Sequence, residues 1–255
     1  MILLMDVGNT NIKLGLSNGT KNIKTWRMAT DTTKTADEFG MTLFDLLNQS
    51  GYVFSDIDGI IISSVAPSIN YTLEHMCSYY IKVKPIMVSP RINTGLTYKY
   101  AINNLGSDRV VNAVAAYNHY GGPVITVDFG TATTFGMVDK DGVFLGGLIA
   151  PGIKASTESL VNNAAKLPRI ELVKPDTIIG TDTVSNMQAG IIYGFTGLVD
   201  YIVKKMKEES GFMDAKVIAT GGMSQLVTQT NSKIVDVIDR SLSLKGLKIL
   251  YDMNK

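Results

Sequence analysis

Several things are scarce in this chain, and each shortage removes a class of function. Of its 255 residues only Cys77 is a cysteine, so no internal disulfide can form. The two histidines, His75 and His119, lie far apart in sequence, which argues against a Cys/His zinc site. Neither sign of charge prevails: 24 basic and 23 acidic residues leave a formal net charge of +1. No basic run is long enough to suggest a nucleic acid or an anionic membrane as partner. No apolar stretch reaches the roughly 18–20 residues of a membrane span. The first residues are β-like and lack the positive start and small-residue cleavage site of a signal peptide. These shortages predict a protein of a reducing, cytoplasmic compartment. Phosphate-binding signatures are missing too. There is no Gly-x-x-x-x-Gly-Lys-Ser/Thr loop, no Gly-x-Gly-x-x-Gly and no His-Arg-Asp loop. Asp128-Phe129-Gly130 is therefore not read as the metal triplet of a protein kinase.

What is present is a phrase that occurs twice. Residues 1–15 read MILLMDVGNTNIKLG and residues 123–136 read PVITVDFGTATTFG. Each is an apolar run, then Asp-x-Gly, then small hydroxyl or amide residues, then a second β-like run. A strand that ends in Asp-x-Gly and turns straight back makes a hairpin tip able to hold a phosphate. Gly8 and Gly130 lack the Cβ that would block a close backbone approach. Thr10, Asn11, Thr131 and Thr133 offer donors, and Lys13 sits on the returning strand within reach of a phosphate. Asp6 and Asp128 can hold a metal ion directly or through water. Either tip alone could be an ordinary hairpin. The pair points to a nucleotide held between two related lobes.

The rest of the chain fits that duplication. With 45% hydrophobic residues and this length, two domains can each bury a core. The first half predicts strands at 1–6, 11–17 and 22–29. A helix follows the Thr35-Ala-Asp-Glu38 capping box, with Phe39, Leu43, Phe44, Leu46 and Leu47 on one broad face. A buried strand at 59–63, a helix at 68–80 and a strand near 84–88 complete a βββαβαβ order. Residues 90–106 read as irregular. A helix then starts at Ser107 or Asp108 and runs to about 120. The second half predicts strands at 123–128, 133–139, 142–149 and 216–220, helices near 155–165 and 184–209, and a last helix at about 244–253. The fold class expected is α/β, with lobes 1–120 and 121–255.

Two further pieces carry chemistry. Thr220-Gly221-Gly222 follows a strand, and only glycine lets a planar base lie against backbone. It is either a common turn or a nucleotide platform. Gly106-Ser107-Asp108-Arg109 opens a helix. Asp108 is either a first-turn acid favoured by the helix dipole or a general base for a substrate hydroxyl. Arg109 beside it suits an anionic substrate or the transferring phosphate.

With these pieces placed, the chain resembles the type III pantothenate kinases of the acetate and sugar kinase/heat-shock 70/actin superfamily. The resemblance rests on Asp6-Val-Gly-Asn-Thr-Asn-Ile-Lys13, Ser63-Ser-Val-Ala-Pro67, Gly106-Ser-Asp-Arg109, Asp128-Phe-Gly-Thr-Ala-Thr-Thr134, Gly146-Gly-Leu-Ile-Ala-Pro-Gly152, Thr183 with Gly190-Ile-Ile-Tyr-Gly194, and Thr220-Gly-Gly222. It implies two tandem actin-like (ribonuclease H-like) lobes with a nucleotide cleft between them. It also implies ATP-dependent phosphorylation of the terminal hydroxyl of pantothenate, the first step toward coenzyme A. Asp108 would be the base. Gly106, Ser107, Arg109, Thr183 and a tyrosine, Tyr98 or Tyr100, would meet or shape the pantothenate pocket. ATP would be held by Asp6, Val7, Gly8, Asn9, Thr10, Asn11, Ile12 and Lys13, with Gly130, Thr131, Gly221 and Gly222. Asp128 would bind a monovalent cation, K⁺ or NH₄⁺, and Asp6 would hold Mg²⁺ through water. The resemblance further implies a homodimer with a shared active site, the long helix from about 184 being a candidate interface.

The chain departs from the family in two places. Gly136 stands where the family continues with an acid. Residues 98–104 lack the acid and proline usual before Gly106. Other readings have their own marks. A kinase for a different small metabolite would change the pocket around 98–109. A nucleotide-binding regulator would need no base at Asp108. An actin-like filament fits poorly, because the chain is short and has no obvious polymer-contact insertion.

Overall fold

The computed structural model describes residues 1–19, 22–89, 91–99, 105–231 and 233–255. Its contacts divide the chain into two units. The first holds Met1–Leu96, Ala101–Ala115 and Ser241–Lys255, and the second holds Thr97–Tyr100 and Ala116–Arg240.

The first unit is built on β1 (Ile2–Val7), whose Leu3, Leu4 and Met5 are wholly buried. Such an unbroken apolar run suits a central strand covered on both faces. The turn at 8–10 sends the chain back as β2 (Asn11–Ser17), antiparallel to β1, and β3 (Asn22–Ala29) follows antiparallel to β2. Next comes α1 (Ala36–Asn48). Its capping box is formed as the sequence predicts: Thr35 Oγ1 accepts from the Glu38 amide and the Glu38 carboxylate accepts from the Thr35 amide. Phe39, Leu43 and Leu47, spaced four apart, point into the core. The expected face was broader than the observed one, because Phe44 is exposed and packs on Phe54 at 5.8 Å between ring centroids.

After α1, β4 (Gly59–Ser64) runs parallel to β1, and α2 (Asn70–Met76) continues as a π-helical turn, Cys77–Ile81. The short β5 (Ile86–Met87) closes the sheet in the order β3-β2-β1-β4-β5. The segment 90–106, expected to be irregular, includes a two-residue strand, β6 (Thr97–Tyr98). The division into units falls within α3 (Ser107–Tyr120), where Val110, Val111, Val114 and Ala115 are buried as expected.

The second unit repeats the plan. β7 (Val124–Phe129), β8 (Ala132–Val138) and β9 (Val143–Pro151) form the antiparallel run. Two helices follow, α4 (Ile153–Asn163) and the long α5 (Thr183–Ser210), and then β10 (Lys216–Gly221) parallel to β7. The short α6 (Ser224–Thr228) and β11 (Val237–Ile238) complete it. The order is β11-β10-β7-β8-β9-β6. Apart from β6, each strand stands where its counterpart stands in the first sheet. A Cβ at Gly136 would sit 3.0 Å from Thr126 Oγ1 and 3.2 Å from the Phe144 ring. The missing side chain thus makes room for a buried aromatic. The last helix, α7 (Leu242–Asn254), packs on β1, β2 and β4 of the first unit and buries Leu242, Leu244, Leu247 and Leu250.

Candidate active site

In the first unit the β1–β2 tip is fixed by backbone bonds. The Gly8 amide donates to the Asn11 carbonyl at 3.0 Å, and Thr30 clamps both sides, its hydroxyl on the Gly8 carbonyl at 2.7 Å and its amide on the Thr10 carbonyl at 3.0 Å. Asn9, Thr10 and Asn11 are exposed, while Asp6, Gly8 and Lys13 are half-buried. Val7 and Ile12 turn their side chains into the core, so they can offer a ligand only backbone. Asp6 stands in register with Lys13 on β2 and with Ser63 on β4. Lys13 Nζ donates to the Ser243 hydroxyl of α7 at 3.2 Å. Sequence reasoning did not single out Thr30 or Ser243, since neither belongs to a motif and both act across long stretches of chain.

Asp108 lies in the first turn of α3, half-buried in the same unit. Its carboxyl is held above the ordinary aspartate range, chiefly by burial. The charge of Asp6 pushes it further up. The Arg109 amide, the Arg109 guanidinium and the residue's own amide pull the other way. The carboxylate folds back over Gly106, where a Cβ would come within 2.5 Å of Oδ1. A side chain at that position would have to displace the Asp108 carboxylate. The structure thus brings Asp6, Lys13, Gly106, Ser107 and Asp108 into one unit, with Arg109 half-buried beside them.

The second unit carries the matching tip. The Gly130 amide donates to the Ala132 carbonyl at 3.1 Å, and the Thr133 hydroxyl donates to the Pro151 carbonyl at 3.2 Å. Gly130 and Thr131 are exposed. Asp128 is in register with Thr134 on β8 and with Thr220 on β10. Gly221 has φ +89°, and a Cβ on it would lie 2.6 Å from Asp128 Oδ1 and 2.5 Å from the Phe129 carbonyl oxygen. That backbone is closed to any L side chain. Ser224 is buried and its hydroxyl donates to the Gly221 carbonyl at 2.9 Å, bracing the Gly221-Gly222 turn.

Thr183 is exposed at the first turn of α5 and lines an open groove of ≈ 600 Å³ with Leu160, Asn186, Met187, Gly190 and Phe195. Tyr98 pairs with Phe144 across β6 and β9, their rings 6.1 Å apart. Tyr100, the other tyrosine expected to meet substrate, lies outside the described residues.

Among the described residues no three His, Cys, Asp or Glu side chains cluster as a metal site. Single carboxylates set among hydroxyls and carbonyls suit a weakly held monovalent cation at Asp128. They also suit a Mg²⁺ that keeps its waters and rides on phosphates near Asp6.

Duplicated sheets of this order, each with an Asp-x-Gly tip, define a two-unit α/β fold. Solved structures share that fold. A Campylobacter jejuni protein of the Baf family of transcriptional activators superposes with a TM-score of 0.62 at 20% identity, over 98% of this chain and 97% of that one. A glucokinase of the ROK family from Streptomyces griseus gives 0.56 at 14% identity, over 99% of each. Similarity in sequence is closer and more specific. The family model for type III pantothenate kinase matches residues 2–205. Type III pantothenate kinases from Geobacillus sp. (strain WCH70) and Bacillus cytotoxicus are 53% and 51% identical over all 255 residues, covering 98% and 97% of those proteins. The chain belongs to the type III pantothenate kinase family.

Proposed function

We propose that this protein transfers the γ-phosphoryl group of ATP to the terminal hydroxyl of pantothenate, with Asp108 as the general base. The observation that carries this is the raised, half-buried carboxyl of Asp108 on the unit that also holds the first phosphate tip. A base whose proton affinity is lifted by burial is better matched to a hydroxyl at neutral pH than an exposed aspartate. Asp108 accepts the hydroxyl proton as that oxygen bonds to phosphorus and the bond to the ADP oxygen breaks. Little covalent chemistry is asked of the protein, so positioning and charge neutralisation do the rest.

In this reading Asp6 to Lys13 cradle the ATP phosphates through backbone amides and the Lys13 ammonium. On the second unit, Gly130, Thr131, Gly221 and Gly222 are the candidate nucleotide contacts. Arg109 receives the pantothenate carboxylate, with Gly106 and Ser107 shaping the pocket and Tyr98 or Tyr100 lining it. When bound, Mg²⁺ held through water by Asp6 and K⁺ or NH₄⁺ at Asp128 neutralise phosphate charge. Thr183 contacts pantothenate, and a second copy of the chain completes the site along α5. The open backbone of Gly190 and Gly194, with nothing within 4 Å of a Cβ, supports close approach there. Among the described residues no helix is long and apolar enough to cross a membrane, in keeping with work in the cytoplasm.

The test is ADP release from ATP with and without pantothenate, in potassium and in sodium buffer. Turnover that requires both pantothenate and potassium is expected. Potassium-dependent ATP binding with no turnover on pantothenate would overturn the reading.

A further inference from the structure

We infer that Ser63 is a positioning residue for the base, acting on Asp108 through the hydroxyl of Ser107; this rests on Asp108 having the role proposed above. Ser63 ends the apolar run Ile60-Ile61-Ile62 of β4 and is 1% exposed. A valine would suit such a strand position better. A buried hydroxyl is costly unless it is bonded, and this one is. Ser63 Oγ donates to Ser107 Oγ at 3.0 Å, and Ser107 Oγ donates to the Ser64 carbonyl at 2.9 Å. The two hydroxyls form a directed relay from the end of β4 to the first residue of α3, immediately before Asp108.

Both ends of the relay are held. The Val65 amide donates to the Val7 carbonyl at 3.0 Å, which ties the serine segment to β1 next to Asp6. Ser64 Oγ accepts from the Ala66 amide at 3.2 Å and so shapes the loop that follows. At the other end α3 starts with the Arg109 and Val110 amides on the Gly106 carbonyl, at 3.1 and 3.2 Å. Ser107 has one hydroxyl proton, and it is committed to Ser64. The relay therefore works inside the chain. It sets where the first turn of α3 begins, and with it the distance of the Asp108 carboxylate from the phosphate tip.

The test compares Ser63→Ala, Ser63→Thr and Ser107→Ala with the parent and with Asp108→Asn. Misplacing a reacting group by about 1 Å can cost about 100-fold, so kcat of Ser63→Ala should fall by about 10- to 100-fold. KM for ATP should stay within about twofold, because the relay ends on the α3 turn and not on the phosphate tip, whereas KM for pantothenate should rise as kcat falls, because Gly106, Ser107 and Arg109 shape its pocket. A loosened helix start admits water to Asp108, so the acid limb of the kcat–pH profile should move to lower pH. Ser63→Thr keeps the hydroxyl and should recover most of the rate and the parental limb. The Ser63→Ala/Ser107→Ala double variant should lose no more than Ser107→Ala alone, because the two share one bond. Parental kcat and an unmoved limb in Ser63→Ala would overturn the inference. So would a loss that only tracks the folded fraction in thermal unfolding, or one that threonine does not recover. If instead Asp108→Asn turns over like the parent, it is the assignment of the base that fails.

Discussion

Replacing Asp108 by asparagine should make the protein more stable and almost inactive at the same time. The side chain keeps its shape and still presents an oxygen to the Arg109 amide, but it can neither ionise nor accept the substrate's proton. General bases contribute about 10²–10⁴-fold, so kcat should drop by that factor, equivalent to about 3–5 kcal/mol of barrier. The stability change follows from the raised pKa. A carboxyl that binds its proton more tightly folded than unfolded favours folding fully below the ordinary aspartate value of 3.8, and that contribution is lost as pH rises through the raised value. At pH 7 the parent therefore carries an ionised group that burial and Asp6 both penalise, and the amide does not. Each pKa unit of elevation corresponds to about 1.4 kcal/mol. Urea titrations of parent and variant at a series of pH values read the difference directly. The variant should be the more stable at neutral pH, with the gap narrowing as pH falls through the raised value and closed below about 3.8. A variant destabilised at pH 7, or a gap that does not change between pH 7 and pH 3, would refute the assignment of Asp108 as a half-buried base with a raised proton affinity.

Other outcomes follow from particular contacts. Gly221→Ala forces a Cβ to 2.5 Å from the Phe129 carbonyl at φ +89°. It should cost at least the ~1–2 kcal/mol of a left-handed L residue and weaken ATP binding measured by calorimetry. Asp128→Asn should abolish the activity difference between potassium and sodium buffer while leaving the thermal midpoint near that of the parent; preserved potassium activation would move the cation site elsewhere. Thr35→Ala removes the α1 capping box, whose bonds stay within Thr35–Glu38, and should cost ~1 kcal/mol with kcat unchanged, which serves as a control for stability effects on the assay.

Much of this architecture was legible in the sequence because it is local. A run such as Leu3-Leu4-Met5 ending in Asp6-Val7-Gly8 states a central strand and its tip within a few residues, and Thr35 to Glu38 spells a cap that formed as written. What stayed hidden depends on distant partners. The strands β6 and β11 have two residues each, too few to show alternation, and exist because a neighbouring edge pairs with them. Phe44 looks inward by composition yet finds Phe54 at the surface, a contact that no helical period encodes. In the candidate site, Asp6 and Asp108 were marked by their own motifs. The clamp by Thr30, the partnership of Lys13 with Ser243 and the Ser63–Ser107 relay each join residues many positions apart. A serine in a buried strand was the one visible hint of the last.

The return of α7 to the first unit has a consequence for synthesis on the ribosome. The strands β1 to β5 are made first, but the helix that covers β1, β2 and β4 is made last, after the whole of Ala116–Arg240. Domains tend to fold as units while the chain grows. Here the later-made unit, nearly continuous in sequence, can be finished while the earlier one still waits with one face of its sheet bare. The nascent protein must carry that apolar surface through most of its elongation. Ser241–Lys255, beyond the span matched by the family model, therefore govern when the unit bearing Asp108 first becomes whole.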